Sequence, residues 1–298
     1  MSTTIIKDYL AKIVCRHGAH LIVKDQDGTR HTCISHKKFS HVVCGDFVRC
    51  NAVDQDRDQI IELLPRKNEL SRQTEYATKV VATNIDIIAI TCAIEPEPSL
   101  ELIDNYIIAA ENMNSSAIIV LNKIDKNDPN NISAEIKQKY KGLPYKIIET
   151  SKNIPTSLDN LIKQFSNHAC VFVGQSGVGK STLINSLIPS LEIETQSISE
   201  GIRKGKHTTS VTTLYDLPYG GELIDSPGVR EFSLPKLDTD KIIRGFCEID
   251  KLGSHCKFHN CIHINEPECE VREAVSQSKI NADRYLSYKK LVEQCTNT

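Results

Sequence analysis

The chain has 298 residues, with 36 Lys plus Arg against 38 Asp plus Glu, for a formal charge of −2. That balance excludes a polybasic arm gripping nucleic acid through bulk charge, though not local basic patches. The first twelve residues, MSTTIIKDYLAK, carry no basic, apolar and small-residue succession of a secretory signal, and no run approaches the length of a membrane helix. A cytoplasmic protein with reduced thiols is therefore expected, in which its eleven cysteines serve as packing residues or metal ligands rather than disulfides.

Residues 1–68 predict short strands: Ile13-Val14-Cys15, Leu21-Ile22-Val23, Thr32-Cys33-Ile34, Phe47-Val48 and Ile60-Ile61. His17-Gly18, Asp27-Gly28 and Gly45-Asp46 are turn signals between them. Such spacing without helical periodicity predicts a small all-β barrel. To residue 70 the segment holds 11 basic and 9 acidic residues and five of the ten histidines, a mild cationic excess. Its four cysteines lack close C-x₂₋₄-C spacing and read as strand core. Pro65-Arg66-Lys67-Asn68 reads as a linker.

After the linker the pattern becomes α/β. Ile85–Ile90, Ala117–Leu121, Tyr145–Ile148 and Cys170–Val173 read as buried strands. Helical faces follow at Leu100, Ile103, Ile107 and Ile108 after Ser99, and at Leu158, Leu161, Ile162 and Phe165. Strands alternating with helices predict a largely parallel sheet. Alternation ends near residue 233. The remainder is polar and Cys/His-bearing, and ends in a helix whose apolar face is expected from Tyr285, Leu286, Tyr288, Leu291 and Val292.

The fourth strand runs into Gly174-Gln175-Ser176-Gly177-Val178-Gly179-Lys180-Ser181, with Thr182 beginning a helix pattern. This fits G-x-x-x-x-G-K-[ST]: glycines let backbone N–H groups turn toward phosphates, Lys180 reaches the β- and γ-phosphates, and the Ser181 hydroxyl ligates Mg²⁺. Asn122-Lys123-Ile124-Asp125 ends the second strand and matches N-K-x-D. An Asp125 carboxylate can accept from guanine N1–H and N2–H₂. Adenine would set a lone pair against it, so the pair of motifs selects guanine nucleotides, GTP and GDP. Ser151 lies in the loop after the third strand, where GTPases place a base-supporting turn.

Asp225-Ser226-Pro227-Gly228 matches D-x-x-G, with Asp225 near Mg²⁺ and the Gly228 N–H toward the γ-phosphate. In GIRKGKHTTS, either Thr208 or Thr209 supplies the switch hydroxyl; Thr209 is taken as the second Mg²⁺ ligand. Asn122 precedes Gly174 by 52 residues, whereas an ordinary GTPase has its guanine motif far after the phosphate loop. Circular permutation is the simplest account. It ties the segment after residue 233 to the switch.

Cys256, Cys261, His263 and Cys269 form C-x₄-C-x-H-x₅-C, four N/S ligands suited to tetrahedral Zn²⁺, with His255, His259 and Cys247 as rival ligands. Val229 follows D-x-x-G where Ras-like enzymes carry the water-orienting Gln. His207 is the candidate to orient or deprotonate the attacking water, its alternative role being a phosphate contact on RNA. Arg203, Lys204 and Lys206 beside it are candidate RNA contacts.

On Leu70-Ser71-Arg72, Asn84-Ile85-Asp86, Ile103-Asp104-Asn105-Tyr106, Asn122 to Asp125, Gly174 to Thr182, Gly205 to Thr209, Asp225 to Gly228 and the Cys/His set, the chain resembles the RsgA (YjeQ) small ribosomal subunit biogenesis GTPases over nearly its whole length. The resemblance implies an N-terminal OB barrel (1–68), a circularly permuted P-loop GTPase domain (69–232) and a small C-terminal α-helical zinc-binding domain (233–298). It implies GTP hydrolysis late in small-subunit assembly, stimulated by the subunit and coupled to release. Its partners would be the small ribosomal subunit and its rRNA, with no membrane and a monomeric state. The metal ligands carried over are Cys256, Cys261, His263 and Cys269, and the resemblance also favours His207. Asn105 stands where the family has Arg, and Lys152 where the base-supporting loop has Ala. The alternative is an RNA-binding module whose guanine-nucleotide site senses without turnover; a hydrolysis assay with and without small subunits separates the two.

Overall fold

The computed structural model is described for residues 8–54, 57–73, 77–189, 212–225 and 237–296. It divides into two compact units: the described residues of Met1–Asp86, Ile162–Phe172 and Ser181–Phe232, and those of Ile87–Leu161, Val173–Lys180 and Ser233–Thr298.

The first unit opens with β1 (Asp8–His17), β2 (His20–Asp25), β3 (Arg30–Ile34), β4 (Phe47–Asp54) and β5 (Arg57–Leu63). β1 pairs with β2, β2 with β3, β3 in parallel with β5, β5 with β4, and β4 returns to β1. This closed five-stranded order is the OB arrangement. β4 covers β1 only over Asp8–Lys12, and closure turns alternate side chains inward: Ile13, Val23, Cys33, Val48, Cys50 and Ile60 are essentially solvent-free. The predicted strands all fall within observed ones, and the four barrel cysteines are buried.

The predicted linker is a locked crossing. Arg66 forks onto the buried Asp46 carboxylate at 2.7 and 2.8 Å, and Asp46 also accepts from Thr83 Oγ1 and the Val43 N–H. Asn68 exchanges side-chain hydrogen bonds with the backbone of Ile85. Between these anchors, β6 (Glu69–Gln73) and β7 (Thr78–Thr83) form a hairpin. The same unit contains β11 (Ala169–Val173), whose last residue lies in the other unit. β11 lies parallel to β13 (Glu222–Asp225), and β12 (Thr213–Asp216) is antiparallel to β13. β1 pairs with β12 at Cys15 and Thr213. Lys12 and Lys24 both pair with Glu222, and Lys24 also with the exposed Asp216, so barrel strands and the β12–β13 ribbon share ion pairs.

The second unit holds the parallel strands β8 (Ile87–Ala93), β9 (Ser116–Asn122) and β10 (Lys146–Thr150), in the order β10-β9-β8. β8 is buried at every residue, as a strand covered on both faces must be. α1 (Leu100–Asn112) starts at Ser99, whose side chain caps the Leu102 N–H. α2 (Ile132–Lys139) and α3 (Asp159–Phe165) follow in chain order, α3 running on from Ile162 into the first unit. α4 (Lys180–Leu187) begins at the lysine of the phosphate motif and continues from Ser181 in the first unit.

The C-terminal segment of the second unit is helical: α5 (Thr239–Arg244), α6 (Cys247–Gly253), α7 (Glu270–Ser276) and α8 (Ala282–Thr296). Its core gathers Phe246, Ile249, Val271, Tyr288 and Val292 with Ile108 of α1. The expected apolar face of α8 needs one correction. Tyr288 and Val292 are buried and Tyr285 and Leu291 pack partly, but Leu286 is 51% exposed. Position 286 is one step, about 100°, round from 285 and falls off the 285-288-292 stripe.

Candidate nucleotide and metal sites

The phosphate motif and the guanine motif meet in the second unit. Asn122, the last residue of β9, is nearly buried. Its Nδ2 donates to Val178 O at 2.9 Å, and its Oδ1 accepts from Thr150 Oγ1 at 3.1 Å. Lys123, in the left-handed region at φ 60°, sends Nζ to Gly177 O and Glu95 O, each at 2.7 Å. A segment 52 residues earlier in the chain therefore props the phosphate loop from below through two carbonyls.

Close backbone approach dictates the glycines. A Cβ on Gly174 (φ 137°) would stand 2.0 Å from Thr91 O, and one on Gly179 (φ 99°) would stand 2.4 Å from Asn122 Nδ2. No L side chain fits either position. Lys180 is nearly buried and donates to Gly174 O at 2.6 Å and Gln175 O at 2.5 Å, which holds its ammonium across the loop. Gln175 Oε1 accepts the Ser99 N–H at 3.2 Å. Ser176 and Gly177 complete the turn, and Ser181 and Thr182 occupy the first turn of α4.

Asp125 presents its carboxylate beside the loop after β10. Ser151 Oγ donates to Oδ1 at 2.5 Å and Asn153 Nδ2 to Oδ2 at 2.8 Å. These two donors, Ser151 first, hold the carboxyl below its ordinary range. Asp225 closes β13 in the first unit. His207, Thr208, Thr209 and Gly228, with Arg203, Lys204 and Lys206, lie outside the described residues. No motif in the sequence marks Asn153 or Ser157. The available signal was the run of Thr, Ser and Asn after a strand, whose side chains commonly bond nearby backbone.

In the metal cluster, Cys256, Cys261, His263 and Cys269 offer ligand atoms all within 4.8 Å of one another. His263 Nδ1 stands 3.5, 3.2 and 3.5 Å from the three Sγ atoms, and Cys256 Sγ is 3.9 Å from Cys269 Sγ. A zinc tetrahedron with bonds of about 2.3 Å to sulfur and about 2.05 Å to nitrogen has edges of about 3.8 and 3.5 Å, so the residues fit the ion. Burial and the neighbouring thiols push Cys261 up to about 12, the state a cation reverses. Burial also lowers His263, favouring the neutral imidazole a metal needs. The rival His255, His259 and Cys247 are not in the cluster; Cys247 instead meets the Tyr145 hydroxyl at 3.3 Å. Tyr285 and Tyr288 of α8 donate to His263 O and Ile262 O, and Glu266 accepts three backbone N–H groups of the same loop.

The family model for the RsgA GTPase matches residues 63–235. The chain belongs to the RsgA GTPase family. It is 40% identical over 292 residues to the small ribosomal subunit biogenesis GTPase RsgA of Actinobacillus succinogenes, covering 94% of this chain and 82% of that protein. It is 38% identical over 294 residues to the protein of the same name from Haemophilus influenzae, covering 96% and 85%. The crystal structure of YjeQ from Thermotoga maritima aligns with a TM-score of 0.81 at 27% identity, over 98% of this chain and all of that one. YloQ, described as a circularly permuted GTPase, aligns with a TM-score of 0.79 at 23% identity, over 100% of this chain and 98% of that one. The permuted motif order read in the sequence is thus the family's own fold. Among the described residues no helix is long and apolar enough to cross a membrane.

Proposed function

We propose that this chain hydrolyses GTP on the small ribosomal subunit, late in its maturation, with hydrolysis stimulated by the subunit and coupled to release. The observation that carries the guanine-nucleotide part is the Asn122 bridge, which fastens the N-K-x-D segment to the phosphate loop. The assembly role rests on the relatives' names. The roles divide along the chain as 1–68 for RNA, 69–232 for the nucleotide and 233–298 for the metal-stabilised output, in a cytoplasmic monomer.

Asp125 reads the base and Ser151 supports it, with Lys123 bracing the loop beneath. Backbone N–H groups of Gly174 to Lys180 and the Thr182 end of the turn surround the phosphates, with Lys180 on their charge. Ser181, Thr209 or Thr208, and Asp225 would hold Mg²⁺, which supplies charge neutralisation along the triphosphate. Cys256, Cys261, His263 and Cys269 would hold Zn²⁺, which supplies folding free energy to the ligand loop between α6 and α7. The Gly228 N–H would face the γ-phosphate, and His207 would orient or deprotonate water when the small subunit is bound.

The deciding assay measures phosphate release from GTP with and without small subunits. A large stimulation is expected, and none would favour the sensor reading. His207→Ala is expected to cut subunit-stimulated kcat by about a hundredfold or more while GTP affinity stays; unchanged stimulated kcat removes His207 from catalysis.

A further inference from the structure

The loop after β10 grips the base-reading carboxylate from both sides. Ser151 Oγ donates to Asp125 Oδ1 and accepts the Asn153 N–H at 3.0 Å, while Asn153 Nδ2 donates to Asp125 Oδ2. Ser157 completes the brace: its Oγ accepts the Ser151 N–H at 2.9 Å and donates to Ile154 O at 2.6 Å. Asn153 thus acts on Asp125 twice, directly and through the hydroxyl that holds the other oxygen. It is itself exposed, so its polar contacts serve this carboxylate rather than a core.

An exposed aspartate ordinarily samples several side-chain rotations, and fixing them costs entropy on binding. Guanine presents two parallel donors and needs both oxygens in one plane. A carboxylate has about four acceptor positions. Ser151 and Asn153 use one on each oxygen and leave one on each for the base.

We infer that Asn153 is a specificity-determining positioning residue, which with Ser151 presets the Asp125 carboxylate in the plane that guanine N1–H and N2–H₂ require. The inference rests on the guanine-nucleotide reading above and assigns a part of it to a residue outside the N-K-x-D and G-x-x-x-x-G-K-[ST] motifs. Asn153→Ala removes the Nδ2 donor to Asp125 Oδ2 and leaves the backbone N–H to Ser151 Oγ in place. Asn153→Asp keeps the shape but replaces the donor with a second carboxylate facing the first.

The test uses the full chain and titrates GDP and ADP into wild type and both variants, alongside GTPase kinetics with small subunits and thermal melting. Asn153→Ala is expected to weaken GDP about fivefold and Asn153→Asp about thirtyfold, the scale of one charge-assisted hydrogen bond and of its replacement by repulsion. The KM for GTP is expected to rise by the same factors with kcat at saturation and the melting midpoint retained, a split that a structural defect would not give. GDP affinity within twofold of wild type in both variants, or a matching loss of kcat, overturns the inference while leaving wild-type guanine preference standing. A wild-type chain that binds ADP as tightly as GDP overturns the guanine reading and this inference together.

Discussion

Gly179 is the residue on which the site turns, because it is where the phosphate loop touches the Asn122 amide. A methyl group there would meet an amide already pinned by Val178 and Thr150, at a φ of 99° that an L residue resists. Gly179→Ala is expected to cost about 1–3 kcal/mol of local strain and to abolish measurable GDP binding. Zinc content, set by residues of the C-terminal segment, is expected to stay at one ion per chain; metal analysis beside a GDP titration checks both. Asp46 is a residue of the opposite kind, buried for structure. Four donors converge on it, so Asp46→Ala leaves the Arg66 guanidinium with only the exposed Glu69 carboxylate. Removing one partner of a buried pair costs about 3–5 kcal/mol, read as a fall in urea midpoint with GDP affinity followed in parallel.

At the scale of elements, α8 is held by a charge inside the core. Arg284 has no exposed surface. It donates to Asp104 of α1 at 2.6 Å and to Glu248 of α6 at 2.8 and 3.1 Å, with the Phe246 ring 4.3 Å from its guanidinium carbon. Lys139 of α2 takes the other oxygen of Asp104 at 2.9 Å. Arg284→Met is expected to destabilise the second unit by about 3–5 kcal/mol, and pairing it with Glu248→Gln to recover part of that loss, since Asp104 keeps Lys139 and no second carboxylate is left without its cation. Chelating the metal is expected to melt α7 and the start of α8, because Tyr285 and Tyr288 bond carbonyls of the ligand loop; far-UV circular dichroism with added chelator measures it. These elements differ in how far the sequence announces them. The phosphate loop, N-K-x-D and the Cys/His set are legible because each lies within one short segment whose chemistry is local. β12 is four residues long with one buried side chain, and β6 alternates nothing apolar, so neither leaves a period to read. α2 buries little beyond Ile132, Ile136 and Lys139, too narrow a stripe to register. Asn153 escapes because its value lies in a side-chain contact to a residue 28 positions away.

Over the whole molecule, acid is the expected stress. Burial pushes the Asp86 carboxyl up, but Lys67 at 2.7 Å and the Ala169 N–H bring it below its ordinary value. Lys137 and the Ser133 hydroxyl do the same for Glu149. A carboxyl depressed in the folded state adds stability above its unfolded pKa, and that stability is lost as pH falls through the folded value. The melting midpoint is therefore expected to stay level from neutral pH to about 5 and to fall below about 4, with Lys67→Ala flattening the acid limb in proportion to Asp86's share. The pairing of β1 with β12 has a consequence in time. Barrel strands β1 to β5 lie within 63 residues, but Cys15 waits for Thr213, and Lys12 for Glu222. On the ribosome that makes this chain, the barrel can close early, yet one flank stays unmatched while some two hundred residues emerge. At about 5–20 residues per second the interval is on the order of ten seconds or more. The exposed edge of β1 is then the place where a nascent chain of this family is open to wrong pairing, and where a chaperone has most to cover.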